Sequence, residues 1–207
     1  MHEEVLQMKA RKLFGALVSV SLPVPFYLAG GTALALHYGH RQSVDFDWFS
    51  QKNFAPGALY RAIAKYGTFT VLGEAPGTLH GKLRGVRLSY LHYPYPLLWP
   101  KVKYQAAYLA DPREIACMKL QAISSRGSRK DFVDMFFLLQ HYSLSDIFSW
   151  FKKKYQRVAY DPLHLLKSLT YFTDAEEEPN PVMLIPISWS EVKNELQRQS
   201  KAFIKKI

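Results

Sequence analysis

The sequence predicts an α+β fold: a small mixed sheet flanked by helices over residues 1–110, then a helical C-terminal region over 111–207. Three observations predict it. Short apolar or alternating segments bounded by glycine and proline crowd the first half, at 26–29, 69–72, 78–83 and 86–93. Beyond Leu109 the apolar residues take up a helical period instead. The change is marked by Asp111-Pro112-Arg113-Glu114, an N-cap acid with proline at the first helical position and glutamate at the third. A length of 207 residues suits one full core with a helical appendage.

Taken in order, 3–19 space Val5, Met8, Leu13, Phe14 and Leu17 as a helix does, and Pro23 and Pro25 then force an extended approach to the strand 26–29. A glycine pair (Gly30, Gly31), a short helix over 32–38 and a basic loop lead to a second strand bearing Asp45 and Asp47. Asn53 and Pro56 open a helix that ends near Gly67. Strands follow at 69–72, 78–83 and 86–93, the last pair joined at Arg84-Gly85 as a hairpin. Pro94, Pro96 and Pro100 remove ladder donors and make 93–100 a loop before a last strand at 102–109. Helices are expected at 111–125, from Ser128 through Leu139, at 144–155, 161–172 and 188–205, with 174–181 an exposed acidic loop.

Composition narrows the function classes. An apolar fraction of 48% with 21% charged residues is that of a folded soluble chain, and no run approaches the roughly 18 apolar residues of a membrane span. Glu3 and Glu4 stand where a secretory signal would be basic, and the lone Cys117 fits a reducing cytoplasm. A net charge of +10 and a pI near 9.6 imply attraction to polyanions such as nucleic acid.

The chemistry concentrates in Phe26–Ser50. Side chains two apart on a strand share a face, so Asp45 and Asp47 point together while Phe46 turns to the core. Paired carboxylates repel unless a hard cation lies between them, and Mg²⁺ takes one or two carboxylates plus substrate phosphate oxygens. Gly30 and Gly31, without Cβ, let backbone N–H groups approach an anion at the start of a helix. Thr32 is placed either to meet phosphate or to cap that helix, and Arg41 either to steer a phosphate or to stand as a solvated loop cation.

Gly30-Gly31-Thr32-Ala33-Leu34-Ala35-Leu36, followed by Gly39-His40-Arg41-Gln42-Ser43-Val44-Asp45-Phe46-Asp47, resembles the signature of the polymerase-β-like nucleotidyltransferase superfamily, and within it the AbiEii/AbiGii-type toxin family. The resemblance implies that Asp45 and Asp47 hold two Mg²⁺ ions and that Gly30, Gly31, Thr32, Arg41 and Ser43 serve a nucleoside triphosphate. It implies nucleotidyl transfer to an acceptor hydroxyl, with an RNA acceptor and a neutralising antitoxin protein as expected partners. A later stretch, Glu114–Ile123 then Arg126 and Arg129-Lys130-Asp131-Phe132-Val133-Asp134, resembles the family's downstream motif. By that resemblance Lys119 reaches the nucleotide phosphates and Asp131 completes the site, so that 111–207 would close the active-site cleft.

Two features keep other readings open. Ser128-Arg129-Lys130-Asp131 is also a capping-box pattern, and the strand 86–92 lacks the third carboxylate found in most of the superfamily. Either Asp131 takes that place, or the dyad acts alone, or the site is degenerate and binds nucleotide or RNA without turnover. An antibiotic-type small-molecule nucleotidyltransferase would share the first motif, though a cationic substrate fits poorly with the basic charge. Tyr90, Tyr93, Tyr95, Trp99 and Tyr104, interleaved with Lys101 and Lys103, either stack bases or wall a core.

Overall fold

The computed structural model describes residues 1–18 and 20–205, and Ser19, the end of the first expected helix, lies outside the described residues. The chain forms two compact units, Met1–Pro96 with Pro100–Asp111, and Leu97–Trp99 with Pro112–Ile207.

The first unit holds strands β1 (Tyr27–Ala29), β2 (Phe46–Ser50), β3 (Phe69–Ala75), β4 (Thr78–Leu83), β5 (Val86–His92), β6 (Val102–Tyr104) and β7 (Ala107–Leu109), with helices α1 (Met8–Leu17), α2 (Gly30–Tyr38) and α3 (Pro56–Ala64). They make one seven-stranded mixed sheet, β3-β4-β5-β2-β1-β7-β6, in which β2–β5 and β1–β7 are parallel. One face is core: Phe46, Trp48, Leu88, Tyr90, Leu79 and Leu83 are buried, and Phe14 of α1 stacks on Trp48. The β4–β5 turn is the expected hairpin, with φ of 52° at Arg84 and 81° at Gly85, the paired positive angles of a turn that matches strand twist.

Local departures have local causes. The first expected helix divides into a 3₁₀ turn (Glu3–Val5) and α1, because the Glu3 carboxylate accepts from Tyr104 Oη at 2.8 Å and Gln105 Nε2 at 3.1 Å while Leu6 and Gln7 run extended. The expected strand 102–109 is instead the hairpin β6–β7, turning where Gln105 takes φ 53°. The aromatic zone walls the core more than it offers bases a platform. Tyr90 lies edge-on to Phe26 at 5.1 Å and stacked on Trp48 at 6.4 Å, and Tyr93 and Tyr95 pack on each other at 4.7 Å.

The second unit is helical: α4 (Pro112–Ser125), α5 (Arg129–Leu139), α6 (Leu144–Lys154), α7 (Pro162–Ser168), α8 (Thr173–Glu176) and α9 (Trp189–Ile204). Glu114 does not reach back to its helix start. Fully buried, it accepts from the Leu98 and Trp99 backbone and pairs with Lys154 Nζ at 2.6 Å, tying 97–99 to α4 and α6. The expected loop at 174–181 is exposed for the most part, as expected, but it begins in α8 and is tied to α5. The Arg129 guanidinium donates to Ala175 O, Glu176 O and Asn180 Oδ1 at 2.7–2.8 Å and lies over the Trp189 ring. Cys117 is buried as expected, and burial pushes its thiol up to about 12.

Candidate active site

In the sheet unit the glycine turn and the dyad are neighbours by register. Ala29, the last residue of β1, pairs with Asp47 of β2, and α2 begins one residue later. Gly30 adopts φ +66°, and a Cβ built there would stand 2.9 Å from Asp47 Oδ2. A side chain would be strained by its backbone, which calls for glycine, and its Cβ would press on the carboxylate and make it turn aside. Thr32–Leu36 are buried, which fixes the helix start one residue after Ala29, the register partner of Asp47.

Asp45 comes just before the first residue of β2 and Asp47 lies within it; both are half-buried around a fully buried Phe46, the alternation the sequence suggests. The backbone at Asp45 is pinned from α2. Thr32 is 1% exposed; its hydroxyl donates to the Asp45 carbonyl and lies 2.7 Å from Ser43 Oγ. Ser43 N donates in turn to Val5 O at 3.0 Å. The N-cap of α2 is Ala29, not Thr32, and the Thr32 hydroxyl ties the helix to the loop that carries Asp45. The Asp45 carboxylate makes no hydrogen bond or ion pair among the described residues. Arg41 is 3% exposed, with Nη1 donating to Gln42 O at 3.0 Å, which corrects the picture of a solvated loop cation. On the other side of Asp47, its register partner on β5 is Ser89, on the strand that carries no acid.

In the helical unit Lys119 and Asp131 bind each other. Lys119 Nζ lies 2.8 Å from Asp131 Oδ1 and 2.5 Å from Asp134 Oδ2, and all three side chains are nearly or fully buried. Arg126 Nε adds a bond to Asp131 Oδ2 at 2.9 Å. Ser128 heads α5 but does not form the capping box: its hydroxyl donates to the Asp131 carboxylate at 2.8 Å. Asp134 stands in the motif that the sequence reading named, which gave it no part beside Lys119. Its signal was the spacing from Asp131, since residues three apart on a helix share a face and can grip one lysine from α4.

This cluster makes a prediction. Burial alone would raise the Asp131 carboxyl, but the Lys119 charge and Arg126 outweigh it and hold it at about 2. A carboxyl with a lowered folded-state pKa stabilises fully above its unfolded value near 4 and loses that contribution as pH falls towards 2. Linkage puts the total at ~2 kcal/mol, of which roughly half should be gone by pH 3. Urea unfolding of the parent and Asp131→Asn at pH 5 and pH 3 should show their stability gap narrowing by ~1 kcal/mol. A gap independent of pH would contradict the assignment.

The family described as nucleotidyl transferase AbiEii toxin, type IV toxin–antitoxin system, matches residues 11–96, which hold the glycine turn and both aspartates. An uncharacterised protein of Aquifex aeolicus is 37% identical over 205 residues, 96% of this chain and 98% of its own. Over residues 11–96 the chain belongs to the AbiEii family of nucleotidyl transferases. Its fold is shared with JHP933 from Helicobacter pylori, at 21% identity and TM-score 0.59 over all of this chain and 94% of that one. It is also shared with MenT4, a nucleotidyltransferase toxin of Mycobacterium tuberculosis, at 13% identity and TM-score 0.62 over 96% and 85%.

For the AbiEii-family chain, the donor set decides what ion the dyad suits. Among the described residues no group of three or more His, Cys, Asp or Glu could hold a metal, which rules out a cage built by those residues alone. Two half-buried carboxylates, that of Asp45 without a hydrogen-bond or ion-pair partner among the described residues, fit an ion that completes its shell with water and phosphate oxygens, as Mg²⁺ does. No helix among the described residues is long and apolar enough to cross a membrane.

Proposed function

We propose that the protein is a Mg²⁺-dependent nucleotidyltransferase that moves a nucleoside monophosphate from a nucleoside triphosphate to an acceptor hydroxyl on RNA, as the toxin of a toxin–antitoxin pair. The observation that carries the reading is the close contact a Cβ at Gly30 would make with Asp47: the chain holds a helix start open against a carboxylate, where a metal–triphosphate would fit. The first N–H groups of α2 would receive phosphate oxygens, and Thr32 and Ser43 would hold Asp45 at the reacting end. Bound Mg²⁺, held by Asp45 and Asp47, would supply Lewis acidity at the α-phosphate and lower the pKa of the acceptor hydroxyl. The acceptor hydroxyl gives its proton to water, its oxygen forms a bond to the α-phosphorus as the bond from that phosphorus to the α–β bridging oxygen breaks, and pyrophosphate leaves with the charge. Family membership supports the toxin role and an antitoxin partner, and the basic charge supports RNA over a cationic small molecule.

A second reading is favoured by one observation: β5, the strand whose Ser89 is in register with Asp47, carries no acid, so the site could bind nucleotide without turnover. Incubation with each α-³²P-labelled nucleoside triphosphate, Mg²⁺ and total RNA separates the two. Label entering RNA, dependent on Mg²⁺ and on one or two of the nucleotides, is the expected result. Nucleotide binding without label transfer to RNA or to small molecules would favour the binding protein.

A further inference from the structure

The face of the sheet that carries Asp47 continues outward as a cationic surface. Asp47 is in register with Ser89 on β5, and Ser89 with His80 on β4. Two residues towards the β4–β5 turn, on the same face, Arg87 is directly opposite Lys82. Both are exposed and neither is ion-paired among the described residues. Like charges directly opposite on neighbouring strands destabilise a sheet, and the one acid of β3, β4 and β5, the exposed Glu74, is in register with Leu79, on the other face from this pair. A fold gains nothing from this pair by itself, whereas a polyanion laid across it would neutralise both charges.

The sheet order says which polyanion. In β4-β5-β2-β1 the glycine turn follows β1, on one side of the dyad strand, while Arg87 and Lys82 lie on the other. An in-line displacement needs the leaving pyrophosphate and the attacking oxygen on opposite sides of the phosphorus. With the triphosphate at the glycine turn, the acceptor arrives from the β5 side. We infer that Lys82 and Arg87 form a phosphate track on which the sugar–phosphate backbone of the RNA acceptor lies as its end reaches Asp45 and Asp47. This inference rests on the transfer reading for the direction of approach, but its test does not need turnover.

The experiment measures binding of a fluorescein-labelled, mixed-sequence 12-mer single-stranded RNA, without nucleotide, across a salt series. Neutralising two phosphate contacts should make the slope of log affinity against log salt shallower by about 1.4 in Lys82→Gln/Arg87→Gln, with affinity at low salt falling at least about fivefold. Binding of Mg²⁺ with ATP, CTP, GTP or UTP should stay within about twofold of the parent, since the glycine turn is untouched. Lys82→Glu alone replaces a like pair by an opposite one. It should weaken RNA binding while raising Tm by ~1–3 °C, a combination that misfolding cannot give. The inference is overturned by an unchanged salt slope in the double variant, by loss of nucleotide binding with RNA binding intact, or by a parent that binds no RNA at low salt. If the parent transfers no nucleotide but the track variants still lose RNA binding, the transfer reading fails and the track stands.

Discussion

Asp45→Asn and Asp47→Asn are each expected to lower nucleotide transfer by at least about 100-fold, ~2.7 kcal/mol of transition-state stabilisation, with the fold retained. Each substitution keeps the side chain's shape and removes one unit of the negative charge that would hold the cation. Because the Asp45 carboxylate makes no hydrogen bond or ion pair among the described residues, its neutralisation breaks no protein contact. Asp45→Asn should therefore melt at or slightly above the parent temperature, since repulsion within the dyad is relieved when no metal is bound. The measurement is label transfer to total RNA under saturating nucleotide, beside a thermal melt in chelator. Transfer within a fewfold of the parent in either variant would sink the dyad as the metal site. Lost transfer together with a large fall in Tm would mean that the carboxylate serves the fold instead.

How much of this was legible in the sequence depended on how local each signal was. The glycine turn, α2 and the alternation around Phe46 are written within two dozen residues, and backbone sterics and strand periodicity translate them directly. The β4–β5 hairpin was legible because Arg84-Gly85 is turn chemistry. The β6–β7 turn was not, because Gln105-Ala106 carries no such residue, and Gln105 is held in place by Glu3, about a hundred positions away in sequence. Distance in sequence also hid what Glu114 and Arg129 do. Each sits at a helix start, where a local rule gives it a local job, yet each is spent on remote backbone groups. The burial of Arg41 and Thr32 was not legible either, since polar residues in a loop motif suggest exposure and both are almost wholly buried.

Lys119 is where the local and the tertiary readings diverge most, and its replacement should have the largest effect on stability. The sequence marked it as a cation stranded in an apolar stretch; the structure answers with two carboxylates from α5, one 2.8 Å and the other 2.5 Å away. Lys119→Met preserves the length of the stem but removes the charge, leaving Asp131 and Asp134 together at 1% and 0% side-chain exposure. Removing one partner of a buried ion pair typically costs ~3–5 kcal/mol, because the remaining charge stays desolvated. For a chain of this size that is a fall of about 10 °C in Tm. Arg126 still contacts Asp131, so the penalty should be concentrated on Asp134, and adding Asp134→Asn to Lys119→Met should recover part of the loss. A structural lysine and a phosphate-binding one then separate by experiment. If the pair is structural, transfer measured well below the melting point stays within about tenfold of the parent, and the double variant recovers Tm without changing it further. A Lys119→Met protein that melts like the parent but has lost 100-fold or more in transfer would show that the ammonium serves the nucleotide and that its carboxylate partners only aim it.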